Sequence, residues 1–297
     1  MAASVERSLI KRVGTRLINI LCIAVLGYLG IALFYAVMQR SFIYYPQTQG
    51  MDAALAGATR RGGDSWLDAN GDWLGWHRGA TGATRRVLVM HGNAGQSLDR
   101  QYWSDLFLGL EQSGPWDVYI LEYPGYGPRD GHPEEQALRN AALQAVDQLQ
   151  AARREPLLLL GESLGSGVAS QVVAARPDAV AGLVLVTPFS SLVAVARYHL
   201  PFLPVSLLMR DRYDNLEQLA AYEGPMVIIT GSKDLTVPER LALPLKNTHS
   251  GPLLHWSQPG AGHNTLDLDP RSPGWKDIDA FLATQRNGAE TAPSEVE

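Results

Sequence analysis

The sequence predicts an α/β fold: a mostly parallel central sheet flanked by helices, preceded by a transmembrane helix and carrying a small helical cap. Three observations carry this expectation. Short runs that are apolar on both faces alternate with helical stretches, as a parallel sheet covered by helices requires. Residues 17–38 form an uncharged stretch of 22 behind a basic cluster. Residues 188–224 form a 37-residue insertion between two strand-like runs, with an apolar middle. At 297 residues, 46% hydrophobic and 19% charged, the chain can bury a sizeable core, which excludes wholesale disorder. A net charge of −5 gives no basic excess of the kind that marks a nucleic-acid binder. The single cysteine, Cys22, excludes an intramolecular disulfide and any site needing two Cys ligands.

The elements follow in order. A helix over residues 17–38 spans about 33 Å, enough for a hydrocarbon core of ~30 Å. Tyr35, Phe42, Tyr44 and Tyr45 stand near its C-terminal end, where interfacial aromatics belong. Upstream lie Arg7, Lys11, Arg12 and Arg16 against Glu6, and downstream only Arg40 against Asp52. This bias puts the N-terminus in the cytoplasm and the rest of the chain on the non-cytoplasmic side, as a single-pass membrane protein. The apolar run is longer than a signal peptide's, and no Ala-x-Ala site follows it, so residues 1–40 read as an uncleaved anchor with Cys22 in lipid.

Residues 41–285 read as the folded domain. Its first part, 41–63, is a linker. Asn70-Gly71 between two Trp-rich runs predicts an antiparallel hairpin. Strand-like runs follow at 86–90, 118–121, 157–160, 183–186 and 226–229, with helices at about 97–110, 134–152, 163–176, 237–246 and 274–284. Within the cap at about 188–224, the usual helix is expected at about 215–222. Its apolar residues, among them Leu192, Val195, Leu200, Phe202, Leu207 and Met209, suit either a wall for an acyl chain or lipid, or a helix pair packed on the sheet. The polar, acidic tail 286–297 has no apolar period and reads as disordered.

Gly161-Glu162-Ser163-Leu164-Gly165 is a Gly-x-Ser-x-Gly placed directly after a strand-like run and opening a helical stretch. That setting strains and exposes the serine, so Ser163 is the candidate nucleophile. A serine hydroxyl needs a base, and the base needs an acid to fix its tautomer. On a sheet carrying such a turn the chain order is serine, acid, histidine. Asp234, just after the run 226–229, is the candidate acid; Asp211 and Asp214 follow no strand-like run. Of the later histidines, His263 lies in the small-residue loop Gly260-Ala261-Gly262-His263-Asn264 before the last helix and is the candidate base. His255 sits inside an apolar run, and His249 follows a helix end. For an oxyanion, the backbone N–H of Leu164 and that of Asn93, in the loop after 86–90, are the candidate donors. His91, in that same loop, precedes the serine and reads as a bracing residue.

With these residues in view the chain resembles the α/β-hydrolase superfamily, and most of all its small single-pass membrane-anchored members. The matching pieces are Tyr44-Tyr45-Pro46, His91-Gly92-Asn93-Ala94-Gly95, Glu122-Tyr123-Pro124-Gly125-Tyr126-Gly127, the serine motif, Gly231-Ser232-Lys233-Asp234 and Gly262-His263. They occur in the family's order over roughly 40–285. Two departures, Glu122 in place of Asp and Gly127-Pro128-Arg129-Asp130 without a Ser after the second Gly, lie near the site rim. The resemblance implies a serine hydrolase acting on esters, thioesters or lipids without metal or cofactor. A serine aminopeptidase or amidase is the alternative, with Glu122, Asp130, Glu134 and Glu135 as acids to hold a substrate amine. A non-catalytic membrane-tethered scaffold is the third reading, against which all three triad residue types are present.

Overall fold

The computed structural model describes residues 2–290. Helix α1 (Ala2–Ile43) contains the apolar stretch; its segment Gly14–Ile43 is long and apolar enough to cross a membrane, and most of it, up to its last three turns, is exposed. Helix α2 (Met51–Arg60) follows inside the stretch read as a linker. Its core side is made of Ala54, Gly57 and Ala58, too small to give an apolar period in the sequence.

Strands β1 (Asp64–Leu67) and β2 (Trp73–Gly79) form the expected hairpin. The Asp68 carboxylate accepts the Asn70 and Asp72 N–H groups at 2.8 and 2.9 Å, and Gly71 takes the positive φ of 86° that the turn requires. Then come β3 (Arg85–Met90), α3 (Gln101–Leu108), β4 (Trp116–Leu121), α4 (Glu135–Ala152), β5 (Leu157–Glu162), α5 (Leu164–Ala175) and β6 (Val180–Val186). The cap follows, with α6 (Leu192–His199), α7 (Val205–Leu208) and α8 (Asn215–Gln218). The chain ends with β7 (Met226–Gly231), α9 (Leu243–Thr248), β8 (Leu253–Gln258) and α10 (Pro273–Glu290). Helix α8 is one turn, shorter than the helix expected at 215–222. Helix α10 runs beyond residue 286, and the rest of the predicted tail, 291–297, lies outside the described residues.

The sheet order is β8-β7-β6-β5-β3-β4-β2-β1, with β2 alone running against its neighbours. Alternate residues of the inner strands feed two cores. Leu88, Met90, Leu159, Leu185 and Ile228 face the layer with α4 and α5. Val87, Val89, Leu160, Val184 and Ile229 face the layer with α3 and α10. Each such side chain, buried fully, contributes roughly 1.5–3 kcal/mol. Because β3, β5, β6, β7 and β8 are parallel, their C-terminal ends meet at one edge of the sheet, the place where an open α/β sheet binds its ligands.

The cap's apolar middle is shared between two partners: Leu192 and Val195 of α6 pack against the sheet's core. Val193, Leu203 and Val205 pack against Ala32 of α1 in a small separate core.

Candidate active site

Ser163 stands between β5 and α5 with φ 51° and ψ −114°, a conformation that L-residues avoid and that turns its side chain out at the sheet edge. Neighbouring glycines make the turn possible. A Cβ on Gly165 would run into the Met90 carbonyl, and one on Gly161 would come within 2.6 Å of the Gly165 oxygen. The Ser163 N–H donates to the Val186 carbonyl at 2.8 Å, which ties the turn to β6.

Asp234 and His263 come to the same edge from the ends of β7 and β8. His263 Nε2 lies 3.0 Å from Ser163 Oγ, and His263 Nδ1 lies 2.6 Å from Asp234 Oδ2. A carboxylate only accepts, so the Nδ1–H donates to it and Nε2 is left as acceptor for the serine hydroxyl. The other Asp234 oxygen accepts the Thr236 and Val237 N–H groups, each at 2.8 Å. The Asp234 side chain is 1% exposed, so its bond to His263 is shielded from water.

Asn93 and Leu164 line the same cavity as Ser163. The Asn93 side-chain amide donates to the Ile43 carbonyl at 2.6 Å, and its own carbonyl accepts the Tyr45 N–H at 2.9 Å and the Tyr126 hydroxyl at 2.7 Å. His91 is fully buried, with Nδ1 2.7 Å from the Gly92 oxygen and its ring 4.2 Å from that of Tyr123. It braces the loop.

The other candidates lie elsewhere. Asp211 accepts the Arg40 guanidinium at 3.1 Å through both oxygens, and the Tyr44 hydroxyl at 3.0 Å. Asp214 caps α8. His255 lies in β8 beside Thr230, Lys246 and Glu239, where burial and then the Lys246 charge hold its pKa below the usual imidazole value. His249 stacks on Tyr222.

Two cavities flank the Ser163–His263 pair. The first, about 470 Å³, is apolar and reaches from Ser163 and Leu164 past Phe189 and Val195 to Tyr35 and Phe42 of α1. The second, about 380 Å³, lies beside His263 and contains Arg100, Tyr102, Trp103 and Glu162. Glu162 accepts the Tyr102 hydroxyl and the Trp103 indole N–H, each at 2.8 Å, and Arg100 Nε stands 3.4 Å away. Burial, and after it the Glu162 charge, push the Tyr102 pKa well above the usual phenol value. Sequence reasoning missed both the end of α1 and the Arg100–Glu162 group. Glu162 carried a faint signal as the variable position inside the serine motif.

Comparison with known proteins bears on the fold and the family. A family model described as alpha/beta hydrolase fold matches residues 85–210. An uncharacterised protein of Mycobacterium tuberculosis is 33% identical over 261 residues, spanning 85% of this chain and 90% of that protein. The lysophosphatidylserine lipase ABHD12 of Mus musculus is 27% identical over 207 residues, which are 61% of this chain and 50% of that relative. Among solved structures, TT1662 of Thermus thermophilus matches with a TM-score of 0.56 at 21% identity, over 75% of this chain and 97% of that one. At that identity the likeness is one of fold. The family match, with its hydrolase description, and a relative one-third identical along nine-tenths of its length lead to one conclusion: this chain belongs to the α/β-hydrolase superfamily.

Proposed function

We propose that the protein is a membrane-anchored serine hydrolase that cleaves a carboxylic ester or thioester with a hydrophobic acyl group. The observation that carries this reading is the chain of contacts Ser163–His263–Asp234, at 3.0 and 2.6 Å, at the head of an apolar cavity.

The reaction runs in two halves. Ser163 Oγ attacks the acyl carbon while its proton moves to His263 Nε2, and Asp234 stabilises the imidazolium through Nδ1–H. The carbonyl oxygen becomes an oxyanion held by two backbone N–H groups. One is that of Leu164, which opens α5 and has no partner within the helix. The other is that of Asn93, whose side chain and carbonyl are already engaged. His263 then gives its proton to the leaving alkoxide or thiolate, and the acyl group stays on Ser163. Water, deprotonated by His263, attacks the acyl-enzyme; the acid leaves and Ser163 regains its proton. The leaving group departs on the His263 side, so the second, more polar cavity suits it, and the apolar cavity suits the acyl chain.

The amidase reading is less well supported. Glu122 is fully buried on Ser97, Glu134 pairs with Arg40 at 2.6 Å, and Glu135 accepts the Gln171 amide and the Arg212 and Tyr213 N–H groups. Glu162 does border the second cavity, but Arg100, Tyr102 and Trp103 occupy it.

The test compares p-nitrophenyl esters with aminoacyl anilides. Ester kcat/KM should rise about three- to fourfold per methylene until the cavity is full. Anilides turned over faster than esters would reverse the assignment.

A further inference from the structure

The apolar cavity has a wall that an anchor does not need to supply. Tyr35, Ala36, Gln39, Phe42 and Ile43, all of α1, line the same space as Ser163. Polar contacts at specific positions hold this end of α1 to the cap. Gln39 donates to the Leu208 carbonyl at 3.1 Å and accepts the Arg210 N–H at 2.7 Å. Arg40 grips Asp211 through two bonds of 3.1 Å. Further back, the Tyr28 hydroxyl donates to the Phe202 carbonyl at 3.1 Å. Tyr28 and Gln39 are separated by about 16 Å of helix, so the cap segment 202–208 runs beside α1 within the stretch long and apolar enough to cross a membrane.

The outer side of this assembly is apolar. Leu207 is 84% and Phe202 58% exposed on the cap, and Leu33, Phe34 and Val37 of α1 are each more than half exposed. A patch of that kind, continuous with a membrane-crossing helix, fits hydrocarbon.

We infer that α1 is part of the substrate site as well as its tether. The cap segment 202–208 rests in the same leaflet as the end of α1, and the acyl chain of a membrane-resident ester slides from that leaflet into the cavity between them. This deepens the hydrolase reading above and rests on it. Ala36 is the smallest side chain on the α1 wall, so it sets how far the chain can reach.

The experiment uses the full chain in phosphatidylcholine vesicles, with p-nitrophenyl esters from butyrate to palmitate and a fluorophosphonate label. Ala36→Trp should lower kcat/KM for palmitate by about tenfold or more relative to that for butyrate, in protein that still takes the label. Val37→Trp, on the outward side of α1, should leave the chain-length profile as in the parent protein. Should Ala36→Trp fail to fold, Phe42→Ala widens the same wall and should move the preference toward longer chains. Leu207→Asp should slow palmitate ester in vesicles by about tenfold and leave dissolved butyrate unchanged. A labelled Ala36→Trp or Phe42→Ala protein with an unaltered profile would overturn the α1 wall. A Leu207→Asp protein with full vesicle activity would overturn access from the leaflet. Wild-type protein that neither labels nor turns over any ester would instead sink the hydrolase reading itself.

Discussion

Ser163 holds a backbone conformation that is costly for any side chain, and the surrounding contacts hold it there. Gly165 is one of those conditions. Gly165→Ala drives a methyl into the Met90 carbonyl and should lower stability by about 3 kcal/mol or leave the chain insoluble, as thermal unfolding would register. For the partners, Asp234→Asn should keep the fold but cut kcat by roughly 10³–10⁴-fold in an ester assay, because the amide no longer fixes the His263 tautomer. What made Ser163, Asp234 and His263 readable as candidates was local: the first two stand in short motifs at the ends of apolar runs, and His263 in a small-residue loop before the last helix. Arg100 and Tyr102 had no such mark. They reach the site only because the start of α3 folds back toward the end of β5, a contact spanning about sixty residues.

At the scale of elements, the hairpin strand β2 forms a half-buried histidine–aspartate pair with β4. His77 Nδ1 lies 3.5 Å from Asp117 of β4, and its ring stacks on Tyr119. The Asp117 carboxylate raises the His77 pKa above the usual imidazole value despite burial. Burial raises the Asp117 pKa, but hydrogen bonds from His77 and Tyr119 outweigh it and leave the value below the usual carboxylate one. Tyr119 itself is pushed up to about 12, by burial first and then by Asp117. A raised histidine stabilises the fold below its unfolded value and loses that effect as pH rises through the folded one; the lowered aspartate contributes above its unfolded value and loses this in acid. The pair therefore adds stability from about pH 4 to about 6.5 and fades above. His77→Gln should lower Tm more at about pH 5.5 than at about pH 9; an equal loss at both would contradict the pairing. The strand runs were legible because each inner strand is apolar on both faces, and the hairpin because Asn-Gly is a turn of known geometry. Helix α2 was not, since Ala54, Gly57 and Ala58 bury a face without any large apolar residue. Nor was α1 as a second partner of the cap: apolarity alone does not distinguish a sheet from an apolar helix some 160 residues upstream.

For the whole molecule, the α/β-hydrolase sheet sets the strand ends that carry the site, and the cap with α1 gives that site an apolar side. The proposed topology puts the domain on the non-cytoplasmic face, so a reporter fused after Glu297 should be active only there; cytoplasmic activity would reverse the orientation. Asp211 joins the cap to α1 through Arg40 and Tyr44, and Asp211→Ala should loosen that junction by about 1–3 kcal/mol, seen as faster proteolysis within 188–224. The most direct test of the central claim is covalent labelling by a fluorophosphonate, which reacts with an activated serine. The wild-type protein should be labelled at one site and Ser163→Ala, still folded by circular dichroism, should not; full labelling of that variant would contradict the assignment of Ser163 as nucleophile.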